Sequence, residues 1–213
     1  MRIRVTEETL YKFDELSDEA KDVARQWWRD ASTHDEFWEF VYEDAATIAS
    51  LMGLDIRQKP VKTMGGTTRY EPAIWFTGFW SQGDGACFEG RWEHKPDALE
   101  KVKEHAPLDE RLHAIAAALS DPRLRGLYAD IKHTGRHCHE YSMDISVGVR
   151  DVGDDFVEAA TSEEDAVKEP LRDFARWIYK MLEAEYDYQN SNEQVDEMLT
   201  GNDYEFTEDG KIA

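Results

Sequence analysis

A chain of 213 residues can bury one substantial core, and its 7 Trp, 9 Tyr and 9 Phe supply large apolar side chains, so 33% charged residues does not signal wholesale disorder. The 25 basic and 46 acidic side chains leave a formal charge of −21, which repels nucleic acid and anionic membrane and favours basic partners or cations. No stretch approaches the roughly 20 apolar residues of a membrane span, and MRIRVTEETLYKF lacks an apolar leader segment, so a cytoplasmic protein is expected.

In chain order, Ile3 and Val5 alternate with polar residues and predict a short strand. Ser17 then supplies an N-cap for a helix whose apolar stripe is Ala20, Val23, Ala24, Trp27, Trp28 and Ala31. Thr33 and Glu36 have capping-box spacing for a second helix carrying Phe37, Phe40, Val41, Ile48, Leu51 and Met52, which Gly53 would stop. Together they predict an antiparallel helix pair. Leu54 to Arg57 suits a strand, and Pro60 to Arg69, with Gly65 and Gly66, reads as a mobile loop.

AIWFTGFW (73–80) is apolar on both faces, as in a strand covered from two sides. CFEGRW (87–92) alternates, with Phe88 and Trp92 opposite Cys87, Glu89 and Arg91. Between them, SQGDGA has the length and glycine content of a hairpin connection. It lacks the Lys-Ser/Thr of a phosphate-binding loop and the GxGxxG of a dinucleotide site, so a turn is expected. Asp84 and Cys87 are the residues it would expose for binding.

Beyond Pro96, DALEKVKEHA and DERLHAIAAALSD predict two short helices. LYADIKHT and YSMDISVGVR predict strands, joined as a second hairpin by GRHCHE, and the latter carries the cleanest period-two pattern in the chain. Thr161 and Glu164 have capping-box spacing, and Pro170 begins or kinks a long helix buried along Leu171, Phe174, Ala175, Ile178, Met181, Leu182 and Tyr186. Ser191 to Leu199 predicts a final short helix stopped by Gly201, after which YEF closes the structured region. The expected fold is therefore α+β, an antiparallel sheet of hairpins packed with amphipathic helices, in a single domain over residues 1–213.

Cys87 and Cys138 are too few for a disulfide framework and match no CxxC spacing; reduced thiols are expected, with one bridge between them as the alternative. HTGRHCHE crowds His133, His137, Cys138 and His139 into seven residues, a set that could offer nitrogen and sulfur to a transition metal. On a strand His137 and His139 would face away from Cys138, and no zinc spacing or thiol-hydrolase signature is present. No metal, cofactor or catalytic residue is assigned. A metal-dependent or thiol enzyme built on His133, His137, His139 and a cysteine is the alternative reading.

The charge is unevenly distributed: residues 151–213 hold 19 acidic and 5 basic side chains (net −14), against 27 and 20 (net −7) in residues 1–150. No basic residue lies between Lys180 and Lys211, where Glu183, Glu185, Asp187, Glu193, Asp196, Glu197, Asp203, Glu205, Glu208 and Asp209 accumulate. Helical residues four apart are about 6 Å apart along the axis, a spacing like that of phosphates on one strand. Rows of carboxylates can thus occupy a groove that normally neutralises phosphates. Tyr186, Tyr188, Tyr204 and Phe206 lie among them as candidate anchors. A solvated face that only keeps the protein soluble is the plainer reading.

Three segments, YKFDELSDEAKDVARQWWRD, GFWSQGDGACFEG and LEAEYDYQNSNEQVDEMLTGNDYEFTEDG, resemble a family of acidic phage and prophage proteins of unassigned activity, sometimes labelled antitoxin-like. The resemblance implies expression in a host bacterial cytoplasm and carries no catalytic residues over. The expected function is a non-enzymatic protein whose ten tail carboxylates bind a basic nucleic-acid-binding host defence protein of restriction or CRISPR type. An antitoxin-like pairing with one basic toxin is a further alternative, and a homodimer would suit so aromatic a chain.

Overall fold

A computed structural model describes residues 8–32, 36–63, 65–149 and 157–213. The fold is α+β with antiparallel sheets, and the chain divides into two compact units, Met1–Phe37 with Ala184–Ala213, and Trp38–Glu183. The opening strand at Ile3 and Val5 and the capping role of Thr33 fall outside the described residues.

In the smaller unit, helix α1 (Asp18–Ala31) starts where expected, with Ser17 Oγ accepting from the Ala20 N–H at 3.2 Å. Val23 and Ala31 of the expected stripe are exposed, and the rest of it packs against α6 (Asn192–Gly201), which Ser191 caps in the same way. Their contact face is a small core of Phe13, Leu16, Ala20, Ala24, Val195, Leu199 and Phe206. The terminal segment is tied into it by backbone bridges from Phe206 to Tyr11 and to Ile212. Gly210 makes this possible: at φ +80 its backbone lies so close to α1 that a Cβ would sit 2.0 Å from the Ala20 carbonyl oxygen.

The larger unit is organised by a five-stranded sheet in the order β1 (Leu54–Ile56), β6 (Gly90–Glu93), β7 (Leu127–His133), β8 (Met143–Val149), β9 (Val157–Glu158), every neighbour antiparallel. Two ribbons accompany it, β2 (Gln58–Lys62) with β3 (Thr68–Pro72), and β4 (Ile74–Phe76) with β5 (Ala86–Phe88). Helices α2 (Glu39–Leu51), α3 (Ala98–His105), α4 (Glu110–Leu119) and the long α5 (Thr161–Gln189) complete it, with residues of α5 from 184 onward belonging to the smaller unit. The period-two pattern of β7 and β8 buries Leu127, Ala129, Ile131, Met143, Ile145 and Val147, while α5 buries Leu171, Phe174, Ala175, Ile178 and Leu182. Phe88 and Phe174 meet edge to face at 5.8 Å. The polar ends of the buried indoles are satisfied: Trp92 Nε1 donates to the Met52 carbonyl at 3.1 Å, and Trp177 Nε1 to Asp109 at 2.7 Å.

Several sequence expectations change. Helices α1 and α2, expected as an antiparallel pair, fall in different units, α1 packing on α6 and α2 on β1 and α3. Phe40, placed on the buried stripe of α2, is 80% exposed, and Tyr42 and Ala45 are buried instead. Pro60 to Arg69 is a hairpin with Pro60 opposite Tyr70, tolerated because a two-stranded ribbon consists only of edges. CFEGRW is not one strand: β5 and β6 belong to different sheets, divided at Glu89, and all three residues of β5 are buried. Thr161 already lies inside α5, and the cap is one residue earlier, with the Ala160 N–H donating to Glu163 at 3.1 Å. Pro170 is inside that helix. The left-handed residue after α6 is Asp203 (φ +58), not Gly201.

Candidate functional site

The tail carboxylates, the SQGDGA connection and the HTGRHCHE run take different places in the fold. Five of the ten tail carboxylates are held by basic groups of the same chain. Asp196 takes Arg25 bidentately at 2.6 and 2.7 Å; Lys12 reaches Asp203 at 3.1 Å and Glu205 at 3.2 Å; Lys211 pairs with Asp209 at 2.6 Å and Lys180 with Glu183 at 2.5 Å. The Lys211 hydrogen bond holds the Asp209 carboxyl below the usual range. Glu185 accepts from Gln189 at 2.7 Å. Asp187, Glu193, Glu197 and Glu208 are exposed and form no ion pair among the described residues.

The geometry behind this division is helical. On α6 the buried positions are Val195 and Leu199; Asp196 turns to α1 and Arg25, while Glu193 and Glu197, four residues apart, share the solvent face. Of the aromatic residues among the acids, Phe206 is fully buried, Tyr204 packs on Trp27 at 5.3 Å and Trp28 at 5.8 Å, and Tyr186 lies against Phe37 at 5.7 Å. Only Tyr188, 55% exposed, remains available as a surface anchor in that set.

The SQGDGA connection is a turn. Asp84 Oδ2 accepts from the Trp80 and Ser81 N–H groups at 3.0 and 2.7 Å and folds the loop, while Thr77 and Gly85 close the ribbon with a backbone bond at 3.1 Å. Asp84 is thus committed to the turn. Cys87, expected at an exposed binding position, is fully buried on β5 opposite Trp75.

Cys87 nevertheless has company. Its sulfur, the Cys138 sulfur and a ring nitrogen of His133 lie within 4.8 Å of one another. Three elements converge there: β5, the last residue of β7, and the connection from β7 to β8. Gly85 lets the connection approach, since a Cβ there would lie 3.1 Å from His139 Cα and 3.2 Å from the Cys138 carbonyl oxygen. His133 is fixed by Trp75, with ring centroids 5.2 Å apart, and its Nε2 lies 3.0 Å from the His137 carbonyl. A carbonyl only accepts, so Nε2 is the donor in this contact.

The HTGRHCHE run is therefore split by the fold. His137 contributes its backbone and leaves its side chain exposed, and His139 Nδ1 accepts from the Tyr141 N–H at 3.2 Å. Burial pushes the Cys87 thiol up to about 12, reinforced by nearby Cys138; burial also raises Cys138, against the lowering effects of its hydrogen bond to Cys87 and the charge of Lys59. That Lys59 ammonium sits 4.6 Å above the Trp75 ring and pairs with Glu71 at 3.1 Å. Both thiols are free of disulfide. Sequence spacing could not have joined Cys87 to His133, because their approach depends on the pairing of strands far apart in the chain.

The chain belongs to the family defined by DUF8835, a domain of unknown function, which matches residues 37–192. No curated protein and no solved structure matches it. The DUF8835 match includes Cys87, His133, Cys138, Glu183, Glu185 and Asp187, and ends before Glu193 and the acids that follow. No helix of the described residues is long and apolar enough to cross a membrane.

Proposed function

We propose that the protein is a non-enzymatic binding module that docks an acidic surface, centred on Glu193 and Glu197 with Asp187 and Glu208, onto a basic nucleic-acid-binding protein. The observation carrying this reading is that these four carboxylates are exposed and form no ion pair among the described residues in a chain of net charge −21, two of them at helical spacing on α6. Such density costs stability through self-repulsion, which a basic partner relieves. The resemblance to acidic phage proteins supplies the setting, a host defence protein of restriction or CRISPR type.

The five carboxylates paired within the chain reduce the surface from a continuous phosphate-like row to a patch. The ligand is then a local basic cluster rather than a long nucleic-acid groove. Affinity capture from host lysate across a salt series tests this: retention should fall as salt rises, since about 0.15 M salt already screens exposed charges beyond about 8 Å. Retention that persists unchanged through several hundred millimolar salt, or that survives Glu193→Gln with Glu197→Gln, overturns it.

A further inference from the structure

We propose that Cys87, Cys138 and His133 form a binding site for a thiophilic cation, zinc, with a fourth coordination position left to water. Three donor atoms already lie within 4.8 Å of one another. Tetrahedral zinc, with Zn–S bonds of about 2.3 Å, puts two sulfurs about 3.8 Å apart. Small side-chain adjustments therefore suffice.

The donors also match in kind and in support. Two thiolates and one imidazole are the ligand types that soft and borderline cations select over magnesium or calcium. With Nε2 donating to a backbone carbonyl at 3.0 Å, His133 would ligate through Nδ1, and that contact would be the outer hydrogen bond that metal-bound histidines use to fix ring orientation and raise basicity. Cys87 is fully buried, and the Cys138 loop is pinned by Thr77 Oγ1, which lies 3.5 Å from the Cys138 carbonyl. Two thiolates balance the charge of the ion. Bound there, it would tie the β4–β5 ribbon to the end of β7 in the five-stranded sheet, joining elements that no sequence-local motif connects. This site is independent of the acidic patch.

Full-length protein purified under reducing conditions should bind stoichiometric Zn²⁺ in competition with a chromophoric chelator, and Co²⁺ in its place should show thiolate-to-metal charge-transfer absorption. Cys138→Ser and His133→Gln should each weaken binding by at least about tenfold. His137→Ala should leave it unchanged, since the His137 ring is outside the site. Near-UV circular dichroism establishes that each variant is folded; should Cys138→Ser fail to fold, His133→Gln and the cobalt spectrum of the unaltered protein decide. Absence of zinc binding, a cobalt complex without charge transfer, undiminished binding by His133→Gln or a folded Cys138→Ser, or a Cys87–Cys138 disulfide forming in preference to the zinc complex would each overturn the site.

Discussion

The acidic surface of the smaller unit and the thiol corner of the larger one are built on opposite terms. On α6, Glu193 and Glu197 are presented outward from a helix whose inner face is Val195 and Leu199, so these two are set by local periodicity and are replaceable without disturbing the core. At Cys87, His133 and Cys138 the groups converge from three elements, one of them wholly buried, and each depends on the others' strands being in place. Crowding in sequence and crowding in space are different things: ten neighbouring acids disperse into paired and unpaired sets, whereas two distant cysteines meet.

The sharpest way to break the comparison is at the platform beneath the acids. Phe206→Ala empties a fully buried position shared with Phe13 and Trp27 and should cost about 3–5 kcal/mol in chemical denaturation. A negligible shift would mean that the tail is not the rigid support assumed for Glu193 and Glu197. Gly210→Ala acts on the same support through the backbone. A Cβ at φ +80 facing the Ala20 carbonyl should destabilise by about 1–3 kcal/mol, read as a lowered denaturation midpoint.

On the other side of the comparison, Cys87→Ser buries a hydroxyl in place of a thiol and should cost about 1–3 kcal/mol in metal-free protein. With chelator present, a thiol reagent should modify half-buried Cys138 well before Cys87, as peptide mapping by mass spectrometry would show. Equal rates would place Cys87 at the surface. The smallest effect belongs to the acids themselves: Glu193→Gln with Glu197→Gln should change stability by no more than about 0.5 kcal/mol while weakening capture of a basic partner. A large loss of stability would show these carboxylates to be structural after all.

Much of the architecture was legible because it depends on local rules. Ser17 as a cap, the alternation of β8 and the glycine turn at SQGDGA each follow from a few adjacent residues, and the structure has all of them. The errors arose where distant packing overrode a local pattern. Phe40 fits an apolar stripe but lies on an exposed side of α2, and Pro60 reads as a loop breaker until an edge strand accommodates it. The division of CFEGRW between two sheets at Glu89 has no signature within those six residues.

The sequence by itself determined the net charge, its concentration toward the carboxyl terminus, and most helix and strand positions, since these need only composition, periodicity and capping. Tertiary structure alone decided that Arg25 neutralises Asp196 and Lys12 neutralises Asp203 and Glu205, and that Cys87 joins His133 and Cys138 while His137 and His139 stand apart, whereas the Lys180–Glu183 and Lys211–Asp209 pairs are local. The physical reason is range. A helix face is fixed by neighbours three or four residues away, but an ion pair or a ligand set is fixed by which strands and helices come into contact, and that is a property of the whole packed chain.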